Sequence, residues 1–145
     1  MRVETSWQRQ MLFKAAVDGH EVLMDAKSPI GTDQAASPKQ MVLMAICGCT
    51  AMDVVSLLKK YKEPLKSLKV NAEADLTDSY PKIFKSVLVE FFFEGEINPA
   101  RVIEAVELSQ SKYCGVSAMI AKACPVNYIA YLNDKKLAEG SSRFP

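Results

Sequence analysis

The stretch MVLMAICGCTAMDVVSLL, residues 41–58, decides the fold, because it holds 18 residues and a single charged side chain, Asp53. This length is near the lower limit for a membrane-spanning helix. An acid deep in a span costs about 2.5–3.5 kcal/mol, and Gly48-Cys49-Thr50 interrupts the apolar run. The segments on both sides alternate in polarity, as in soluble proteins. We therefore predict no membrane contact and a helix buried on nearly all faces at the centre of a soluble protein, with a membrane span as the alternative.

Composition places the chain among ordinary globular proteins. Its 145 residues are 49% hydrophobic and 24% charged, and the formal net charge is +1. The length is typical of one domain. Lysine and arginine are scattered and are not interleaved with aromatic residues, so nucleic acid is not an expected partner. Residues 1–5 contain an early acid with no apolar run behind it, which predicts no secretory signal and a cytoplasmic protein.

The regions around this helix predict strands and a second helix. Ser37-Pro38 supplies a capping residue and a favourable first helical position, and Gln40 can complete a capping box. Asp18-Gly19 favours the positive φ angles of a tight hairpin turn. A second helix begins at Asn98-Pro99 and continues to Ala123, with a local break at Gly115. The predicted strands cover residues 2–7, 10–17, 20–25, 68–77, 84–93 and 126–132.

These elements follow the order βββ-α-ββ-α-β, which predicts an α+β fold with antiparallel sheets. Residues 1–145 are predicted to form a single domain, with the polar residues 133–145 as a frayed tail. A helix that is apolar on every side cannot rest on one small sheet with its back in water. We therefore predict a homodimer in which two copies bury these helices against each other. The alternative is a monomer whose sheets wrap the helix.

The four cysteines are expected to be reduced thiols, because the predicted compartment is reducing. Cys47 and Cys49 point about 200° apart on a helix, so one metal ion cannot bind both, and we predict neither a metal nor a cofactor. Each cysteine could be mere core packing, and Cys47 and Cys124 are interpreted so. Gly48 lets a substrate or backbone approach Cys49, and Cys114 lies at the predicted helix break. Cys49 and Cys114 could therefore form a redox pair.

Two segments resemble the cysteine helices of the OsmC/Ohr family. Residues 41–58 are similar to the first cysteine helix, and ELSQSKYCGVSAM, residues 107–119, is similar to the second. The two motifs occur in the family's order, with its strand pair between them. The resemblance extends over residues 1 to about 132. It is strongest to the OsmC-like branch, which carries Gly-Cys-Thr-Ala-Met-Asp-Val-Val.

The resemblance implies an intertwined homodimer in which long sheets wrap two central helices. It also implies a thiol peroxidase that reduces organic hydroperoxides. Cys49 matches the peroxidatic cysteine, which becomes a sulfenic acid, and Cys114 matches the resolving cysteine, which condenses with it to a disulfide. A dithiol, either a small molecule or a lipoyl protein, then reduces that disulfide.

The chain departs from the family pattern around the thiol. Family peroxidases carry a glutamate ten residues before the peroxidatic cysteine, where it orients an arginine, and this chain has Lys39 there. Arg9 is the candidate for the arginine, and Lys39 and Lys112 are the other cations that could stabilise a thiolate. Asp53 lies one turn after Cys49 on the same face. Left unpaired it would raise the pKa of the thiol, whereas paired with a cation it would hold that cation near the sulfur.

A second class of function stays open beside the enzyme. The same fold could bind a hydrophobic or thiol-bearing ligand in a pocket at the subunit interface, with the cysteines sensing or carrying it. The altered Lys39 position favours this alternative. A structural or adaptor role is a third interpretation, and no linear interaction motif supports it.

Overall fold

The computed structural model describes all residues, Met1–Pro145, and the chain separates into two compact units, Met1–Leu43 and Met44–Pro145. The first unit contains an antiparallel sheet of three strands. They are β1 (Glu4–Arg9), β2 (Leu12–Val17) and β3 (His20–Met24), with β2 in the centre. Asp18 and Gly19 both have positive φ, 47° and 81°, so the predicted hairpin turn is confirmed.

A buried carboxylate organises the loop that leads out of this sheet. Asp25 is 2% exposed and accepts hydrogen bonds from the backbone N–H groups of Ala26, Thr32 and Gln34 and from the Thr32 hydroxyl. The Thr32 hydroxyl bond is the largest influence that lowers the pKa of Asp25. The sequence pattern placed Asp25 at the end of a predicted strand and did not identify it as the residue that holds this loop.

Helix α1 spans Pro38–Lys60, as predicted from its caps. The Gln40 side chain accepts hydrogen bonds from the backbone N–H and the hydroxyl of Ser37, which confirms the expected local interaction at the helix start. The prediction that the helix is buried on nearly all faces is wrong for the single chain. Four residues spaced one turn apart are fully buried: Ile46, Thr50, Val54 and Leu58.

The rest of α1 is half-buried or exposed, because the other residues of the same chain pack against only one face of the helix. Met44 is 51% exposed and Met52 is 75% exposed. By length and composition alone the helix could cross a membrane, a test that the core helices of soluble proteins also pass.

The second unit contains a mixed sheet of four strands. They are β4 (Leu65–Leu76), β5 (Phe84–Gly95), β6 (Val126–Leu132) and β7 (Lys135–Ser141), in that spatial order. The predicted pairing of β4 with β5 is confirmed. The expectation of wholly antiparallel pairing is wrong at one place, because β5 and β6 run parallel. Parallel neighbours need a long crossover, and the helices between β5 and β6 provide it.

Alternation along β5 and β6 builds the core. Val87, Val89, Phe91 and Phe93 of β5 are buried, and so are Val126, Tyr128, Ala130 and Leu132 of β6. Helix α2 (Pro99–Leu108) and helix α3 (Gly115–Ala121) pack against β6, and the π-helical turn Ser109–Tyr113 joins the two helices. Asn98 caps α2, accepting the N–H of Ala100 at 3.0 Å.

The predicted frayed tail at residues 133–145 is a further correction. Residues 135–141 form β7, which pairs antiparallel with β6. Asn133 and Asp134 have positive φ, 49° and 63°, and make the tight turn between the two strands. The strand is polar because it lies at the sheet edge. Gly140 is needed for packing, since a Cβ there would lie 2.6 Å from the Tyr128 hydroxyl.

Candidate active site

The two cysteines singled out from the sequence meet in the second unit. Cys49 is half-buried in the middle of α1, and Cys114 is fully buried between the π-helical turn and α3. Their Sγ atoms and a carboxylate oxygen of Asp53 all lie within 4.8 Å of one another. All four cysteines are free thiols. The predicted proximity of Cys49 and Cys114 is therefore present, although they are 65 residues apart in the chain.

A break in helical structure positions Cys114. The π-helical turn ends at this residue, whose backbone is extended, with φ −71° and ψ 98°. The predicted break at Gly115 thus lies one residue earlier, and Gly115 begins α3. The Cys114 Sγ accepts hydrogen bonds from the N–H of Ser117 at 3.3 Å and from its hydroxyl at 3.1 Å. These two hydrogen bonds orient the Cys114 side chain in the interior of the second unit.

A chain of buried polar side chains leads to Asp53. The Ser109 hydroxyl donates to Asp53 at 3.1 Å, and the Thr50 and Ser109 hydroxyl oxygens are 2.7 Å apart. Gln110 Nε2 donates to Thr50 at 2.6 Å, and Gln110 Oε1 accepts from Ser142 at 2.7 Å. Since Ser109 gives its proton to Asp53 and Gln110 gives one to Thr50, Thr50 must donate to Ser109. Every donor therefore points toward the carboxylate.

Sequence analysis missed this network. Thr50, Ser109 and Gln110 are fully or almost fully buried polar residues; Thr50 lies in an apolar helix, whereas Ser109 and Gln110 lie in a polar stretch of sequence. Their polarity at positions facing a core was the available signal, since buried hydroxyl and amide groups need hydrogen-bond partners. The π-helical turn starts at Ser109 and includes Gln110, and both side chains bond to Thr50. Such turns often occur at functional sites.

Burial controls the acid–base behaviour of the site. Desolvation raises the pKa of the Cys114 thiol to about 11, opposed by the hydrogen bonds from Ser117 and reinforced by Cys49. Desolvation also raises the pKa of Asp53, opposed by the hydrogen bond from Ser109. Both groups thus favour their protonated forms more than they would in water, because low polarity penalises charge. Cys114 is a neutral thiol at neutral pH.

The candidate cations lie in different surroundings. Arg9 is exposed in the first unit and donates to the Gln34 side chain at 3.0 Å. Lys39 is exposed in the first turn of α1. Lys112 is exposed in the π-helical turn, with its Nζ atom 5.3 Å from the centre of the Tyr113 ring. Asp53 forms no ion pair within one chain, so of the two alternatives given for this carboxylate the structure shows the unpaired one.

The remaining cysteines lie apart from this group. Cys47 is half-buried on α1, and its pKa is raised by desolvation. Cys124 is buried just before β6, and burial raises its pKa as well. The three atoms from Cys49, Asp53 and Cys114 are the group of metal-binding donors that lie close enough to share one ion.

The fold is α+β, and it brings two free thiols from separate helical segments close together. These two features identify the chain as a protein with a paired-cysteine site. The sequence profile of the family described as OsmC-like protein matches residues 31–129, more than half of the chain. The chain is also 35% identical over 130 residues to protein YhfA of Escherichia coli strain K12, which covers 88% of this chain and 95% of YhfA. The chain belongs to the OsmC-like family.

Solved structures agree on the fold. A hypothetical protein from Aquifex aeolicus VF5 has a TM-score of 0.82 and 23% identity, covering 91% of this chain and 95% of that one. An organic hydroperoxide resistance protein OsmC from Legionella pneumophila has a TM-score of 0.66 and 17% identity, covering 90% of this chain and 94% of that one. At these identities the likeness concerns the fold alone.

Proposed function

We propose that this protein is a thiol-dependent peroxidase that reduces organic hydroperoxides through Cys49 and Cys114. The observation that carries the proposal is the approach of two free thiols, Sγ to Sγ within 4.8 Å. A disulfide needs the sulfurs about 2.05 Å apart. The proposal requires the two side chains to move by this difference, and Cys114 lies at a helix break, outside regular helix.

The chemistry assigns different roles to the two thiols. The Cys49 thiolate attacks the terminal oxygen of the hydroperoxide, the O–O bond breaks, and the alkoxide takes a proton and leaves as an alcohol. Cys49 is then a sulfenic acid. The Cys114 thiol attacks its sulfur, the S–O bond breaks, and water leaves with the thiol proton. A dithiol reductant returns both cysteines to thiols by two exchange steps and becomes a disulfide itself.

The environments of the two thiols agree with this assignment. Cys49 is partly exposed and can meet a peroxide, whereas Cys114 is buried and mainly protonated. A resolving thiol has no need to meet the substrate, since it reacts after the sulfenic acid has formed beside it. A solved structure that shares the fold, from Legionella pneumophila, is named an organic hydroperoxide resistance protein, and the proposed substrate class follows that name.

The thiolate of Cys49 needs a cation, and the proposed sources are Arg9, Lys39 and Lys112. The residue that stabilises the thiolate should slow alkylation of Cys49 by iodoacetamide when it is replaced by Gln, at least tenfold at pH 7. Arg2→Gln is the matched control, because Arg2 is an exposed arginine that contacts only Glu4. If all three replacements leave the alkylation rate unchanged, none of Arg9, Lys39 and Lys112 stabilises the Cys49 thiolate.

The protein is also proposed to be an intertwined homodimer in the cytoplasm, reduced there by a small dithiol or a lipoyl protein. Support for the dimer comes from apolar residues that one chain leaves uncovered, namely Met44, Met52 and Met119, which are 51%, 75% and 68% exposed. Contiguous exposed apolar surface marks protein interfaces, and Met44 and Met52 lie eight residues apart on the same helix. Sedimentation should give twice the 16.0 kDa chain mass, and a monomer at micromolar concentration would contradict this part.

The second candidate function is binding of a hydrophobic or thiol-bearing ligand with little turnover. Two observations favour it: Lys39 stands where family peroxidases carry glutamate, and Arg9 is bonded to Gln34. In that case Cys49 and Cys114 would sense or carry the ligand.

Consumption of cumene hydroperoxide with a dithiol reductant separates the two functions. Wild type should turn over, Cys49→Ser should be inactive, and Cys114→Ser should react once and then lose activity by overoxidation of Cys49. Cys47→Ser is the matched control, since Cys47 lies on the same helix outside the thiol pair, and should keep full activity. A wild type with no turnover and two titratable, accessible thiols would favour the binding function.

A further inference from the structure

The donors around the thiol pair form a mixed sulfur and oxygen set. Two sulfur atoms and one carboxylate oxygen, from Cys49, Cys114 and Asp53, lie within 4.8 Å of one another. In a tetrahedral zinc site with Zn–S bonds of about 2.3 Å, two sulfur ligands lie about 3.8 Å apart. Modest rotation of the side chains therefore brings the three donors to coordinating distance.

Two of the three donors are already oriented by neighbouring groups. The Ser109 hydroxyl holds one Asp53 oxygen, and Ser109 is itself bonded to Thr50. The N–H and hydroxyl of Ser117 hold the Cys114 sulfur. Metal ligands in proteins are commonly fixed by such outer hydrogen bonds, which raise affinity because the ligands need less ordering. The fourth tetrahedral position has no protein donor and is left for water or a small ligand.

Ligand type selects the ion. Two thiolates favour thiophilic ions such as Zn²⁺ over Mg²⁺ or Ca²⁺, which prefer oxygen ligands. We propose that the reduced protein binds one Zn²⁺ through Cys49, Cys114 and Asp53. Binding replaces two S–H bonds with two Zn–S bonds and releases two protons. Zinc binding needs only the three side chains, whereas release of the ion by a hydroperoxide rests on the proposed peroxidase activity.

Metal binding and the disulfide exclude each other, because the same sulfur atoms serve both. When a hydroperoxide oxidises the zinc-bound pair, the S–S bond forms and both Zn–S bonds break. The hydroperoxide accepts two electrons and two protons and leaves as alcohol and water, and Zn²⁺ is released. The site is therefore a redox-gated zinc site, occupied in the reduced protein and empty in the oxidised one.

The test is titration of the reduced, full-length protein with Zn²⁺ against a chromogenic chelator, together with Co²⁺ as a spectroscopic probe. We expect one equivalent per chain and thiolate-to-cobalt charge-transfer bands. Cys49→Ser and Cys114→Ser should abolish these bands, and Asp53→Asn should weaken Zn²⁺ binding by at least about 10-fold, since loss of an outer-shell partner alone costs that much. Cys47→Ser should bind as wild type does.

Oxidation of the wild-type chain provides a test that needs no substitution. Diamide takes two hydrogen atoms from the thiol pair, so disulfide formation does not rely on reaction with a peroxide. The oxidised protein should bind no Zn²⁺, and reduction should restore one equivalent. Binding that persists after oxidation, or that is lost in Cys47→Ser, would overturn the site. An unchanged affinity in Asp53→Asn would overturn the three-donor assignment. Peroxide turnover measured in the presence of a metal chelator, with no Zn²⁺ bound, tests the proposed peroxidase function independently of the zinc site.

Discussion

Cys49 and Cys114 lie within 4.8 Å of each other but in opposite kinds of structure. Cys49 belongs to a regular helix and is partly open to solvent, whereas Cys114 lies at a helix break and is fully sealed. The difference teaches how one protein can give two identical side chains separate roles. In the proposed mechanism, the thiol that reacts with the peroxide lies on a regular helix, and the resolving thiol lies at a helix break.

The largest expected effect is a difference in alkylation rate between the two thiols. Burial raises the pKa of Cys114 to about 11, so only about one molecule in a thousand carries its thiolate at pH 8. The two cysteine-to-serine variants are compared in the presence of a metal chelator. Cys114 in the Cys49→Ser variant should react with iodoacetamide at least a hundredfold more slowly than Cys49 in the Cys114→Ser variant. The Cys114 rate should rise about tenfold per pH unit between pH 7 and pH 9, because burial keeps this thiol mainly protonated over that range. Equal rates at pH 8 would remove the distinction between the thiols.

The second effect concerns the helix that carries Cys49. Leu58→Ala removes a fully buried side chain from the α1 stripe, and should lower the free energy of unfolding by about 2–5 kcal/mol. Met52→Ala is the matched comparison, because Met52 is 75% exposed on the same helix. It should leave the fold of one chain unchanged and weaken the proposed dimer. Urea unfolding and sedimentation distinguish the two, and a stability loss in Met52→Ala that does not depend on protein concentration would contradict the second expectation.

The third effect concerns the polar network that joins the two cysteine regions. Ser109→Ala removes the hydrogen-bond donor of Asp53 and the acceptor of the Thr50 hydroxyl, while Gln110 still donates to Thr50. A buried polar group that loses its partner costs about 1–3 kcal/mol. Ser111→Ala is the control, since Ser111 lies in the same π-helical turn, is exposed, and bonds only to the Glu107 carbonyl. Urea unfolding should show the loss in the first variant, while the second stays within about 0.5 kcal/mol of wild type. A similar loss in both would show that the turn, and not the network, carries the stability.

Much of this arrangement could be predicted from local patterns. Ser37-Pro38 and Asn98-Pro99 marked the helix starts, and a stretch rich in Val and Phe marked β5. The edge strand β7 was missed because its residues are polar and include Gly140, a composition that also describes a frayed tail. The burial of α1 was overestimated. An apolar helix indicates that other residues pack against it, but the sequence does not show whether those residues belong to the same chain or to a second copy.

The site itself divides in the same way. The sequence marked Cys49 and Cys114 as a candidate pair, and family resemblance gave them roles. It could not show that Thr50, Ser109 and Gln110 meet, because their contacts join α1 to the π-helical turn across about 60 residues of chain. It also placed no emphasis on Ser117, which holds the Cys114 sulfur. Contacts between elements distant in sequence depend on packing, which no local pattern encodes.

The smallest expected effect tests how that sulfur is held. Ser117→Ala removes the hydroxyl that donates to Cys114 Sγ at 3.1 Å and keeps the backbone N–H donor. Because the hydroxyl bond lowers the pKa of Cys114, its loss should raise that pKa further and reduce the thiolate fraction at any given pH. Alkylation of Cys114 in the Cys49→Ser background should slow a few-fold at pH 9, whereas Ser117→Thr, which retains a hydroxyl, should leave the rate near that of the background. A faster reaction in Ser117→Ala would mean that the hydroxyl chiefly blocks access of the reagent to the sulfur. The low reactivity of Cys114 would then depend on steric shielding by Ser117 more than on its hydrogen bond.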